Sequence, residues 1–235
     1  MKYKRVLLKI SGEALASGFG FDYDKLHDIA AQVVAVRKKG IQVVIVVGAG
    51  NIWRFRDTTK SGIERTASDA MGMLATIMNS VALQSAIENL GAETRVCSAI
   101  NVPQLAEPYL RRRAERHLEK NRIVICAGGT GNPFFTTDSA AALRALELSC
   151  NVILKASNVD GIYDKDPNKH KNAKKYDTLT FQEAIEKNLK VLDQSAFSLC
   201  REQNLPIIVF DFQRKGAFLE AASGKKIGTI VKDDM

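Results

Sequence analysis

Long apolar runs are missing from the sequence. None approaches the roughly 20 residues that a membrane-spanning helix needs, and the opening residues read as a strand-like segment, Tyr3 to Ile10, so a secretory signal is not expected there. A cytoplasmic protein without a membrane anchor is expected. Cysteine is sparse: the four, Cys97, Cys126, Cys150 and Cys200, lie far apart in apolar contexts without metal-ligand spacing. That excludes a zinc module or a disulfide framework and predicts reduced core thiols. There is no internal repeat, low-complexity stretch or linker, and no helix-turn-helix or RNA-binding aromatic motif. Against these absences stand 235 residues, 46% hydrophobic and 26% charged, enough for a full core in one large or two closely joined α/β domains.

The net charge is +8 at pH 7. Such an excess suits nucleic acid or a small polyanion, and the distribution of the charges separates the two. Basic residues gather in Arg111–His117 and in Lys165–Lys175. The first run is interleaved with Glu115 and Glu119, the pattern of a solvated helix face, so nucleic acid is not expected.

Chemistry-bearing residues collect at the ends of the predicted strands. The first strand ends in Lys9, Ile10, Ser11 and Gly12. A lysine there costs stability unless it meets an anion, and Ser11-Gly12 offers unobstructed amides, which predicts a phosphate site; a snorkelling lysine beside a simple turn is the alternative. A glycine-aromatic loop with Gly18, Phe19 and Gly20 precedes a helix from Tyr23 to Lys39, capped by Asp22 or Asp24 and closed by Gly40. Ile41 to Val47 reads as a strand covered on both faces, leading into Gly48, Ala49, Gly50 and Asn51. Arg54 and Arg56 follow closely, and a glycine loop with arginines suits an anionic group. Arg65 to Leu90 reads as a long helix whose apolar stripe holds Met71, Leu74, Ile77, Met78, Val81 and Leu83, its methionines in the core. Asp69 and Gly72 near its start suit a closely approaching ligand, or else a cap and a packing glycine.

Further strands are predicted at Glu93–Ser98, Arg122–Cys126, Asn151–Lys155, Pro206–Phe210 and Ile227–Val231, alternating with helices. Between the strand at 122–126 and the helix after Asp138 lies the densest polar loop, Gly128, Gly129, Thr130, Gly131, Asn132, Pro133, Phe134, Phe135, Thr136 and Thr137. In α/β folds ligands bind at such strand ends. An ordinary capped turn is the competing reading, but two adjacent exposed phenylalanines are hard to place unless they meet a planar ligand or a partner chain.

In order along the chain, Lys9 to Glu13, Gly50-Asn51 with Arg54, Asp69 to Met73, Thr130 to Asp138 and Val159 to Pro167 resemble the motifs of the bacterial uridylate (UMP) kinases of the amino-acid-kinase family, and the resemblance spans nearly the whole chain. No P-loop motif is present, in agreement with that family. The resemblance implies a three-layer αβα sandwich with a mainly parallel central sheet. It implies a single domain over 1–235, its acceptor side roughly 1–150 and its ATP side roughly 151–235, assembled as a homohexamer.

The implied reaction is phosphoryl transfer from ATP to UMP, giving UDP and ADP in pyrimidine nucleotide biosynthesis, with Mg2+ carried on the ATP phosphates. By the same resemblance Lys9, Asp138 and Arg54 are catalytic. ATP is met by Lys9, Ile10, Ser11, Gly12, Gly50 and Arg54 at its phosphates and by Ser157, Asn158, Tyr163 and Asp166 at its base and ribose. UMP is met by Ala49, by Asp69 at its ribose and by Thr130 to Thr137. Asp138 orients Lys9 and the hydrated metal, with no direct metal ligand from the protein. GTP as activator through Gly18, Phe19 and Gly20, and UTP as inhibitor, are also implied. Ala49 stands where the family usually has glycine, Trp53 and Phe55 differ from the family's residues, and the loop before Gly18 is shorter. Two other readings stay open: a phosphotransferase of the same fold acting on carbamate or an acylamino acid, and a non-catalytic nucleotide-binding regulator.

Overall fold

Period-two burial in the strands decides the architecture. In β1 (Arg5–Ile10), Val6, Leu8 and Ile10 pack into one hydrophobic layer and Leu7 into the other, all fully buried. A strand buried on both faces needs helices on both, and the chain supplies them. The computed structural model describes residues 2–54 and 62–233; Phe55 and Arg56 lie outside the described residues.

After β1 come a 3-10 turn (Gly12–Leu15), α1 (Tyr23–Lys38), β2 (Gln42–Val47), α2 (Arg65–Asn89), β3 (Thr94–Ser98), β4 (Glu107–Pro108), α3 (Arg111–Glu119), β5 (Ile123–Ala127) and α4 (Thr137–Glu147). Then follow β6 (Ile153–Ser157), β7 (Ile162–Tyr163), β8 (Lys175–Tyr176), β9 (Thr178–Leu179), α5 (Phe181–Glu186), α6 (Gln194–Glu202), β10 (Ile207–Asp211), α7 (Ala217–Ala222) and β11 (Thr229–Val231). Nine strands form one sheet in the order β4-β3-β5-β2-β1-β6-β10-β11-β9, parallel except for the β10–β11 pair. β7 and β8 make a separate antiparallel ribbon. One face of the sheet is covered by α1, α2 and α7, the other by α3 to α6, which is the expected three-layer sandwich. The carboxyl ends of β1, β2, β5, β6 and β10, contiguous or nearly so in the sheet, all open toward one edge of the molecule.

Local signals explain most element ends. Asp22 caps α1 by accepting from the amides of Asp24 and Lys25, and Gly40 takes the left-handed conformation just past its end (φ 79°). Thr136 caps α4, and Thr180 with Glu183 forms a capping box on α5. The four cysteines are free and buried; burial pushes the thiols of Cys97, Cys150 and Cys200 up to about 12.

The methionines of α2 are a correction. Ile77, Leu83 and Ile87 face the sheet, but Met71, Leu74, Met78 and Val81 lie on the outer side, Met78 54% and Leu74 51% exposed. The helix is apolar nearly all round, so periodicity alone could not choose between its faces. With a mean hydropathy of 1.3 over its best window, α2 is also the one helix among the described residues long and apolar enough to cross a membrane. Its buried polar residues Ser68, Thr76, Asn79 and Ser80 instead serve the sheet side, where Asn79 and Thr76 bind loop backbone. β4, β7, β8 and β9 have only two residues each, too few for an alternation pattern to register.

Candidate active site

Two parallel strands place like charges face to face. Lys9 of β1 and Lys155 of β6 are direct register partners, and on each strand the lysine shares its face with an apolar residue, Leu7 and Ile153, that packs toward the α4 layer. Like charges directly opposite destabilise a strand pair unless an anion intervenes. Asp138, in the first turn of α4, is that anion. Its Oδ1 lies 2.5 Å from Lys9 Nζ and its Oδ2 accepts from Lys155 Nζ at 3.3 Å, with all three side chains largely buried. Although the Lys9 contact is close, Oδ1 accepts no well-directed hydrogen bond, so that contact is an ion pair before it is a hydrogen bond. Burial pushes the Asp138 carboxyl up, but the Lys9 and Lys155 charges outweigh it and hold it below the ordinary 3.8. The helix start adds a favourable dipole. Lys155 itself is pushed down, chiefly by burial, with Asp138 opposing, and it also donates to the Val191 carbonyl at 2.5 Å.

Above this centre the glycine loops lie against one another. A Cβ on Gly12 would sit 2.5 Å from both Asn51 Oδ1 and the Gly50 amide nitrogen, so the loop after β1 packs on the loop after β2 without room for a side chain. The β2 loop is fixed from behind by two buried asparagines. Asn79 Nδ2 donates to the Gly48 carbonyl (2.7 Å) and to Asn51 Oδ1 (2.8 Å), while Asn51 Nδ2 donates to the Gly20 carbonyl (2.7 Å) and to Asn79 Oδ1 (3.1 Å). Arg54 is held by the Gly50 carbonyl at 2.9 Å and by an ion pair with Glu13.

A cavity of about 510 Å³ opens here, lined by the β1 and β2 loops, the start of α2 and the loop before α4. Lys9, Arg54 and Arg65 supply its positive charge, Glu13 and Asp69 its negative charge. Asp69 accepts from Arg65 Nε (2.8 and 2.9 Å) and from the Phe134 amide (2.8 Å), which pins the polar loop to α2. Gly72 lines the same space and a Cβ there would meet nothing, which excludes the packing-glycine reading. Trp53 also lines it, its indole nitrogen donating to Ser68 at 2.9 Å. A second cavity, about 1090 Å³, runs between α1 and the β10–α7 loop past Ser157 and Asn158 and shares Ser11 and Glu13 with the first.

The amino acid kinase family matches residues 4–211. The chain belongs to that family. A uridylate kinase of Paramagnetospirillum magneticum is 53% identical over 235 residues, 99% of this chain and 98% of that protein. The crystal structure of UMP kinase from Bacillus anthracis superposes with a TM-score of 0.96 at 40% identity, over 99% of this chain and 97% of that one. The uridylate kinase from Archaeoglobus fulgidus has a TM-score of 0.75 at 28% identity, over 96% and 99%.

For a member of the amino acid kinase family, the residues picked out by sequence fall in several places. Lys9, Ser11, Gly12, Ala49, Gly50, Arg54, Asp69, Thr130, Asn132, Phe135, Thr136 and Thr137 share the first cavity, and Ser157 and Asn158 line the second. Asp138 lies beneath, on Lys9, and Ile10 is buried in β1. Gly131, Pro133 and Phe134 belong to the same loop without lining either cavity; Phe134 is 65% exposed with φ 70° and lies beside the Arg65 guanidinium. Tyr163, in β7, and Asp166, between β7 and β8, line neither cavity: Tyr163 donates to Asp160 and Asp166 accepts from the Asn168 amide within its own turn. Phe19 is 88% exposed between Gly18 and Gly20, and the Gly20 backbone joins Asn51 in both directions.

Three contributors escaped the sequence reading. Lys155 carried a usable signal, since it ends an apolar strand as Lys9 does. Asp193 accepts from Thr136 and Ser139 and caps α6, joining the acceptor loop to the far half of the chain. Asn79 had no signal beyond being a polar residue in an apolar helix. The packing at Gly12 makes a direct prediction: Gly12→Ala displaces the β2 loop, lowers kcat/KM more than tenfold and lowers stability by about 1–3 kcal/mol, as read by steady-state kinetics and urea denaturation.

Proposed function

We infer that this chain is a UMP kinase, transferring the γ-phosphoryl group of ATP to UMP to give UDP and ADP. Alongside the full-length likeness to uridylate kinases, one observation carries this reading: two cavities meet at Ser11 and Glu13, directly over the buried Lys9–Asp138 pair. Phosphoryl transfer needs two phosphates brought end to end and the charge between them neutralised, and little covalent chemistry from the protein. A junction with a lysine beneath it and glycine amides around it meets that need.

In this mechanism the first cavity takes UMP. Asp69 receives the ribose hydroxyls, Thr130 to Thr137 surround the base, and Phe135, lining the cavity and 53% exposed, offers its ring to the uracil. The second cavity takes the ATP end, where Ser157 and Asn158 lie, with Ser11 and Gly12 donating amides at the phosphates. Lys9 stabilises the transferred group because it is charged and held in place by Asp138. Arg54, now on Glu13 and the Gly50 carbonyl, is close enough to the junction to exchange those partners for phosphate.

Among the described residues no three His, Cys, Asp or Glu side chains come together as a metal cage. Asp138 Oδ1, without a directed hydrogen bond, fits a metal-bound water better than a direct metal bond. Mg2+ would supply charge neutralisation on the ATP phosphates.

The division into an acceptor half and a donor half, the cytoplasmic setting and the role in pyrimidine nucleotide biosynthesis belong to the same proposal. So does assembly as a homohexamer, supported by the outward apolar face of α2 with Met71, Leu74, Met78 and Val81. Activation by GTP through Gly18 to Gly20 and inhibition by UTP follow from the resemblance, and the bonds between Gly20 and Asn51 give that loop a route to the phosphate site.

A coupled ADP-release assay across UMP, CMP, carbamate and acetylglutamate is expected to give turnover chiefly with UMP. In it Lys9→Ala lowers kcat by about 10²–10³-fold with the KM for UMP changed only a few-fold; failure of wild type to turn over UMP would overturn the reading. Asp69→Asn raises the KM for UMP more than that for ATP, and the reverse order contradicts the ribose assignment. Met78→Glu is expected to reduce the mass of the assembly measured by light scattering.

A further inference from the structure

The β1–β6 register leaves a problem that the reaction does not by itself solve. Two ammonium groups stand opposite one another inside the protein, and the reacting phosphates need only one at the junction. Lys9 lines the first cavity; Lys155 lines neither. Lys155 instead spends its hydrogen bonds inward, on Asp138 Oδ2 and on the Val191 carbonyl just before α6. Its side chain is 23% exposed and Asp138's 13%.

We propose that Lys155 is a positioning residue: it holds Asp138 from the side away from the substrates, so that the other carboxylate oxygen fixes Lys9 at the phosphate junction. This rests on the reading of Lys9 and Asp138 given above. The geometry assigns each carboxylate oxygen its own lysine, Oδ1 to Lys9 and Oδ2 to Lys155. With Lys155 neutralised, Asp138 would turn toward Lys9 alone, and Lys9 would lose the fixed direction on which its contact with a transferring group depends.

The charges facing Asp138 are few. Lys9 comes from β1 and Lys155 from β6, while Asp193 and Cys200 lie on the α6 side, with Cys200 held as the thiol by burial and by both aspartates. Removing Lys155 leaves burial opposed by a single cation, so the carboxyl of Asp138 rises. A group depressed in the folded enzyme is ionised above its pKa and loses its function as pH falls through it. The acid limb of kcat therefore moves to higher pH when the depression is relieved.

The test compares the full-length wild type with Lys155→Gln, Lys155→Arg and Asp138→Asn, measuring kcat and both KM values, each with the other substrate saturating, in brief assays from pH 3 to pH 9, with melting curves for each across the same range. Glutamine keeps a donor for Val191 and removes the charge; arginine keeps the charge. Lys155→Gln is expected to lose about 30–100-fold in kcat, to hold both KM values within threefold and to shift the acid limb upward by at least half a pH unit; Lys155→Arg is expected to keep the wild-type limb and recover most of the turnover. An unmoved limb in a folded Lys155→Gln enzyme, or a kcat within threefold of wild type, overturns the proposal. A tenfold rise in the KM for ATP with kcat unchanged also overturns it, since Lys155 would then be a donor contact. If Lys155→Gln does not fold, Lys155→Arg decides: a shifted limb in that variant overturns the proposal, and an unshifted one supports it. Asp138→Asn separates the two layers of inference. Turnover retained there removes the reading of Asp138 itself, whereas a dead Asp138→Asn beside a normal Lys155→Gln removes only the role given to Lys155.

Discussion

A buried carboxylate between two lysines is the constraint on which the site depends. Taking charges out of water is costly, and a set of three is tolerable only when geometry is close and every partner is engaged. Here the sheet itself enforces the arrangement: neighbouring parallel strands in direct register bring Lys9 and Lys155 to the same face, and the first turn of α4 delivers Asp138 between them. Losing the carboxylate would leave two like charges facing each other. Position and charge are thus settled before any nucleotide arrives, which is what electrostatic catalysis of phosphoryl transfer asks of a protein.

Around this centre the fold contributes loops, not side chains. The loops after β1, β2 and β5 meet the start of α2 to enclose one cavity, and the loops after β1, β6 and β10 border the other. Both borrow Ser11 and Glu13. Close approach of Gly12 to the β2 loop makes that shared segment thin, so little protein separates the two spaces. The layer of helices behind each loop matters as much: α2 braces the β2 loop through Asn79 and the β5 loop through Thr76, whose hydroxyl accepts from the Gly128 amide at 2.9 Å.

Much of this was legible in the sequence because strand ends, caps and glycine loops carry local signals. Lys9 after a buried run, Asp22 ahead of α1, Gly40 behind it and the polar loop before α4 could each be placed from their neighbours alone. What stayed hidden depends on distance along the chain. Asp193 reaches Thr136 across more than fifty residues, with a separation of 57. Lys155 gains its meaning only from the register with β1. The outward methionines of α2 were misplaced for a different reason: an all-round apolar helix has no periodic contrast, and only packing shows that Ile77 and Leu83 face inward while Met78 does not. Tyr163 and Asp166, placed by resemblance at the ATP base, ride a ribbon whose strands are too short to be seen in a pattern.

The reciprocal amide pair of Asn51 and Asn79 has a chemical consequence. Each amide is both donor and acceptor to the other, and each has its orientation set by a backbone carbonyl, Gly20 for Asn51 and Gly48 for Asn79. Deamidation of either one exchanges an NH2 group for an oxygen, a change of almost no volume. It would bring acceptor against acceptor at a buried contact, and would free the carbonyl that the amide had been holding. The glycine loop after β2 is therefore sensitive to chemical ageing at two residues behind it, and damage at either would take away the support that fixes its backbone.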